Sequence, residues 1–148
     1  MADGRSCYEM ITDGDREAKG RSELLTLMKR GLEAGGAQVD VSGTIQGASG
    51  AKHSFDLIVT KDGNRVPIDI KLARMGHVEL GDVLTTYVKS LDTSSRPAVM
   101  VAIPVASSDA RKSAAAFGLI LVEGKDPQEA LERLSYALNR FLKHDKLN

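Results

Sequence analysis

Two aspartates and a lysine fall close together in the segment FDLIVTKDGNRVPIDIK, Phe55 to Lys71. Its arms, Phe55 to Thr60 and Arg65 to Lys71, are rich in Val and Ile and flank Lys61-Asp62-Gly63-Asn64, whose Asp-Gly centre marks a tight hairpin turn. With Lys61 facing Asn64, Leu57 meets Ile68, Val59 meets Val66, Phe55 meets Ile70, and Asp56 meets Asp69. One face is then wholly apolar. The other carries two opposed carboxylates, with Lys71 pointing the same way as Asp69. Like charges directly opposite destabilise a strand pair, so this placement calls for a cation between them. The plainer reading is an exposed Asp69–Lys71 salt pair with Asp56 as a solvated neighbour, worth only ~0–1 kcal/mol.

The elements that must position these groups follow from the pattern around them. Met1 to Gly20 mixes both charges and has no sustained period, so residues 1–20 read as a loosely held polar arm, with Cys7 to Ile11 able to add a short strand. Residues 21–148 then read as a single domain. Ser22 can cap a helix with Leu24, Leu25, Leu27, Met28 and Leu32 on its apolar stripe, stopped by Gly35-Gly36. Glu23 lies in its first turn, where the helix dipole favours an acid.

Ala37 to Gln46 alternates as one half-buried strand, and Gly47 to His53 is a flexible loop whose amides, Ser49 and Lys52 can approach a phosphate. Beyond the hairpin, Arg74 and His77 precede the first acid, Glu79. Leu80, Val83, Leu84, Tyr87, Val88 and Leu91 form one apolar helix face, predicted to be core, with Glu79, Asp82, Thr86 and Lys89 on a solvated face opposite. Pro97 to Val105 reads as a strand buried on both sides, then a helix capped by Ser107 or Ser108, a short strand Leu119 to Val122, and a last helix opened by Asp126-Pro127-Gln128-Glu129. The expected class is α/β: an αβββαβ core with a mixed central sheet, helices on both faces and an extra C-terminal helix.

Composition sets bounds on partners. The 148 residues hold 20 Lys plus Arg against 20 Asp plus Glu, so any binding of nucleic acid must come from a local patch. The lone Cys7 cannot form an internal disulfide, and no apolar run reaches the length of a membrane span. A cytoplasmic protein that does not enter the membrane is the expectation.

An αβββαβ order with Asp56 on the second strand and Asp69-Ile70-Lys71 on the third resembles the PD-(D/E)XK nuclease superfamily, the restriction endonuclease-like fold. With Ser49-Gly50, His53, Phe55-Asp56, Val66-Pro67-Ile68-Asp69-Ile70-Lys71 and the apolar strand Ala98 to Pro104, the chain is most similar to archaeal Holliday-junction resolvases and modification-dependent restriction enzymes. The resemblance runs from about Glu23 to Val122 and departs at Phe55, where the family has proline.

The resemblance implies an endonuclease cutting DNA, with branched, recombination or repair intermediates as suggested substrates. Asp56, Asp69 and Lys71 would be catalytic. Asp56, Asp69, the Ile70 carbonyl and also Glu23 would hold Mg2+ or Mn2+, ions that prefer oxygen ligands. Lys71 would orient the attacking water, act as base, or stabilise the transition state. Ser49, Lys52, His53, Arg74 and His77 are the candidate nucleic-acid contacts, and a homodimer is expected because so small a domain touches few phosphates. The alternative is a nucleic-acid-binding or protein-interaction domain of the same fold without catalysis.

Overall fold

The Asp62-Gly63 turn forms as its sequence requires. Both residues take positive φ (53° and 81°), and Lys61 pairs with Asn64. From that pair the register runs through Val59–Val66 to Leu57–Ile68, as expected. The computed structural model describes the backbone of residues 13–73 and 75–146, and side-chain surroundings within 18–142 except at 74. The expected strand at Cys7 to Ile11, and Arg74, lie outside the described residues.

In chain order the elements are α1 (Asp13–Ala34), β1 (Gln38–Val41), β2 (Thr44–Gln46), β3 (Lys52–Ser54), β4 (Leu57–Lys61), β5 (Asn64–Leu72), α2 (Leu80–Asp92), β6 (Val99–Ile103), α3 (Ser108–Phe117), β7 (Ile120–Glu123) and α4 (Pro127–Lys146). Five strands form one mixed sheet in the order β1-β4-β5-β6-β7, antiparallel through β5 and parallel beyond it. The parallel pairs are joined through α2 and α3, as crossovers require.

Each sheet face has its own core. Val66, Ile68 and Ile70 of β5 pack with Leu57 and Val59 against Met28 and Leu32 of α1 and Leu134 and Leu138 of α4. On the other face Met100 and Ala102 of β6 meet Val83 of α2 and Ala110 and Ala114 of α3. β6 is buried along its whole length, which explains its unalternating apolar sequence.

Three expectations are corrected. Residues 13–20 belong to α1 rather than to an arm. The side chains described there, 18–20, are exposed, so no apolar period is needed at those positions. The expected strand Ala37 to Gln46 divides at Ser42-Gly43, where Ser42 takes φ 55° and a Cβ on Gly43 would lie 2.5 Å from Ile58 Cδ1. Its second half, β2, pairs with β3, so the expected loop Gly47 to His53 is the turn and return strand of a second hairpin.

The largest correction concerns α2. Val83 is buried, but so are Thr86 and Ser90, while Leu84, Val88 and Leu91 are 41%, 58% and 50% exposed. The helix is turned so that part of its polar face meets the sheet. The reason lies in the carboxylate beneath it.

Gly63→Ala should lower stability by about 1 kcal/mol, the cost of a Cβ in the left-handed region. A urea-unfolding midpoint unchanged from wild type would show that the turn does not hold the hairpin register.

Candidate functional site

β5 runs on to Leu72, but its ladder with β4 stops at Leu57–Ile68. The chain before β4 swings out of the sheet. Phe55, expected opposite Ile70, packs instead with Ile45 and Ile58, and its N–H bonds to Gly43 O. This leaves the edge of β5 open at Ile70.

Side chains close that edge. Asp56 Oδ2 accepts the Ile70 N–H at 2.7 Å, and Asp69 Oδ1 accepts the Asp56 N–H at 3.3 Å. The Ile70 carbonyl accepts a bond from Arg21 Nη1 of α1 at 3.3 Å, and Arg21 Nη2 pairs with Asp56 Oδ1. The two aspartates are therefore neighbours, though through this bond and not as the ladder pair that the hairpin register predicts.

Asp69 is the buried member, its side chain 5% exposed. A carboxylate so withdrawn from water needs donors, and α2 supplies them. Thr86 Oγ1 donates to Asp69 Oδ2 at 2.8 Å and Lys89 Nζ at 2.6 Å. Lys89 also donates to Ser54 O at 2.7 Å and lies 4.6 Å from the centroid of the Phe55 ring. Phe55, the departure from the resembled pattern, thus forms a wall for this ammonium group. Lys89 and Thr86, expected on a solvated face, belong to the site, as does Arg21. The only signal for Lys89 and Thr86 was a polar helix face at the right spacing to meet a buried acid.

Lys71 is half-buried and has no hydrogen-bond or ion-pair partner among the described residues. It lines an open groove of about 740 Å³ together with Arg21, His77, Glu79 and Asp82. His77 Nε2 pairs with Glu79 Oε1 at 2.9 Å on the groove's exposed rim. Glu23 takes no part in this cluster. It is exposed on α1, about 200° around the helix from Arg21, which shares the sheet-facing side with Leu24, Leu25 and Met28.

The remaining candidate contacts sit at the opposite end of α2, about 15 Å along its axis from Asp82. There Asp92 binds the β2–β3 hairpin: Oδ1 accepts the Ser49 N–H at 2.9 Å, and Oδ2 accepts Ser49 Oγ at 2.6 Å and His53 Nε2 at 2.7 Å. Ser and His both point at the carboxylate rather than at each other, so this is a clasp and not a nucleophile relay. A Cβ on Gly47 would lie 2.0 Å from Asp92 Oδ2, so glycine lets the hairpin close on the helix. Lys52 is exposed beside it.

No family model matches the chain, and no curated protein does. A solved structure titled "Crystal Structure of Protein of Unknown Function AF1548" matches with a TM-score of 0.64 at 21% identity, over 80% of this chain. This chain spans 66% of that protein's length. At this identity the likeness shows a shared fold.

Whether a divalent cation suits the site can be judged from its donors. The Asp56 carboxylate and the Ile70 carbonyl are both hard oxygens, and they converge on one guanidinium, so a cation already stands where the two meet. Among the described residues, Asp69 Oδ1 carries only the long bond from Asp56 N–H. Among the described residues no three His, Cys, Asp or Glu side chains gather in one place, so an ion here would have two carboxylates and a carbonyl.

Two outcomes follow. Lys89→Met should destabilise the fold by about 3 kcal/mol in urea unfolding, because it strands a buried carboxylate, and adding Asp69→Asn should recover part of the loss. An unchanged midpoint for the single variant would show that the pair is not needed. The second outcome concerns pH. Hydrogen bonds from the Ser49 hydroxyl, His53 and the Ser49 amide lower the Asp92 pKa from 3.8 to about 2. The folded-state value is depressed, so the clasp's stabilisation is full above about pH 4 and lost as pH falls through about 2. The gap in urea midpoint between wild type and Asp92→Asn should be flat above about pH 4 and narrow below it. A gap independent of pH would contradict the clasp.

Proposed function

We propose that the protein is a magnesium-dependent endonuclease of the PD-(D/E)XK kind that hydrolyses DNA phosphodiester bonds. The observation that carries this reading is the gathering of the Asp56 and Asp69 carboxylates at the Ile70 backbone where β5 outlasts β4, with Lys71, next along β5 and without a partner among the described residues, lining an open groove. Manganese would satisfy the same oxygen donors.

Asp56, Asp69 and the Ile70 carbonyl would hold the ion, which when bound supplies Lewis-acid activation of water and charge stabilisation at phosphate. The chain's own residues do the rest. Lys71 presents an ammonium to the groove and has no partner among the described residues, so its donors would serve an attacking water or a phosphate oxygen. Lys89 holds the Asp69 carboxylate in place, and the Asp56–Ile70 bond fixes the second carboxylate against the strand edge. His77 on the groove rim and Arg74 in the same segment would meet the DNA backbone. Lys52, Ser49 and His53 would contribute only if the duplex also reaches the far end of α2.

Branched, recombination or repair intermediates are the substrates we propose, on the resemblance to junction resolvases. A cytoplasmic homodimer completes the proposal. Leu84, Val88 and Leu91 offer an uncharged apolar face to a second copy, and among the described residues no helix is long and apolar enough to cross a membrane.

A second reading has its own support: Arg21 and Lys89 already neutralise both carboxylates, as in a domain that binds DNA or protein without metal. Lys71→Ala separates the two. Lys71 has no partner among the described residues, so its removal should have little effect on thermal unfolding, while metal-dependent cleavage of branched or linear DNA should fall about 10²-fold or more. Cleavage at the wild-type rate would sink the assignment of Lys71. No cleavage by wild type, with DNA binding that weakens steeply with salt, would favour the second reading.

A further inference from the structure

Among the described residues two cations neutralise the carboxylate pair, and they are held very differently. Lys89 is 18% exposed, salt-bridged to a 5% exposed Asp69, bonded to Ser54 O and covered by the Phe55 ring. Arg21 is 41% exposed, pairs with a 19% exposed Asp56, borders the groove and reaches the Ile70 carbonyl through a 3.3 Å bond. Removing Lys89 from its place would strand a buried charge. Arg21 can swing into the groove and exchange both its bonds for water.

We propose that Arg21 is the exchangeable occupant of the cation position: it holds the Asp56 carboxylate and the Ile70 carbonyl in the metal-free protein and leaves them when a divalent ion binds. This rests on the metal-dependent reading above. The two oxygens that the guanidinium spans are two of the three donors such an ion would take, so arginine and metal cannot both be bound there. While Arg21 is in place the open edge of β5 is satisfied and Asp56 is aimed, which keeps the donors in position without the ion. The apparent metal affinity is then reduced by the fraction of molecules in which Arg21 occupies the site. A displaced Arg21 also remains at the groove, where its guanidinium is free to meet a phosphate.

The test is a calorimetric titration of MgCl2 into the full-length wild type and Arg21→Gln at constant ionic strength, with thermal unfolding of both to establish that the variant is folded. In parallel, the wild-type Arg21 Nε–Hε resonance is followed by NMR as Mg2+ is added. Arg21→Gln should bind Mg2+ about tenfold more tightly, and the Arg21 resonance should shift with the same midpoint as the calorimetric binding in wild type. Removing a positive charge would by itself tighten binding, so the resonance decides whether Arg21 leaves the site. If both proteins bind Mg2+ equally, or the resonance does not move at saturation, Arg21 does not occupy the metal's place, though the metal-dependent reading stands. If neither protein binds Mg2+, both proposals fall. Should Arg21→Gln not fold, the wild-type resonance alone decides: movement on saturation supports the exchange and its absence overturns it.

Discussion

The buried ion pair between Asp69 and Lys89 governs the arrangement of this domain. A carboxylate 5% exposed at the centre of a mixed sheet is costly unless it is fully bonded, and its partners come from a helix almost twenty residues further along the chain. Satisfying it fixes how α2 lies on the sheet. Thr86 and Lys89 must face inward, so Leu84 and Val88 face outward, against the preference of their own side chains. The same ammonium holds Ser54 O and the Phe55 ring, and so draws the approach to β4 toward α2 and away from the ladder. The open edge at Ile70, where Asp56 and Arg21 meet, follows from that departure.

α2 consequently serves both ends of the molecule. Its N-terminal turn, where Asp82 accepts the Glu79 N–H, lies on the groove with Lys71 and Arg21. Its centre anchors the acid, and its C-terminal residue Asp92 clasps the β2–β3 hairpin through Ser49 and His53. One rigid helix thus sets the position of a strand edge relative to a hairpin far from it in sequence. The groove and the clasp are separate places, with His77 at the first and Ser49 and His53 at the second.

Much of the hairpin was legible in the chain because its determinants are local. Asp62-Gly63 dictates the turn and the turn dictates the register as far as Leu57–Ile68; beyond that pair the ladder ends, and Asp56 stays beside Asp69 through its N–H bond to Asp69 Oδ1. Helix ends were legible for the same reason: Gly36 at φ 95° after α1, Ser107 Oγ accepting the Ala110 N–H before α3, and Asp126 Oδ1 accepting the Glu129 N–H at the start of α4. The orientation of α2 was not, since apolar periodicity assumes that apolar groups are what a sheet buries, and here it buries an acid as well. Arg21 was hidden by the start of α1. With the helix taken to begin at Ser22, Arg21 fell outside it and Glu23 took the position of interest, whereas helical phase gives the sheet-facing place to Arg21. The strand break had a visible signal in the dipeptide Ser42-Gly43, a turn pair that alternation on either side concealed.

The proposed function requires Asp56 and Asp69 to form together a cation-binding site open to solvent ions, beyond their pairing with arginine and lysine. The most direct measurement is an Mg2+ or Mn2+ titration of wild type beside Asp56→Asn, followed by calorimetry, with folding of each confirmed by thermal unfolding. Saturable binding in wild type that Asp56→Asn removes is the result predicted. No binding by folded wild type up to several millimolar, roughly the range in which a weak magnesium site would show itself, would contradict the claim, as would binding that Asp56→Asn leaves unchanged.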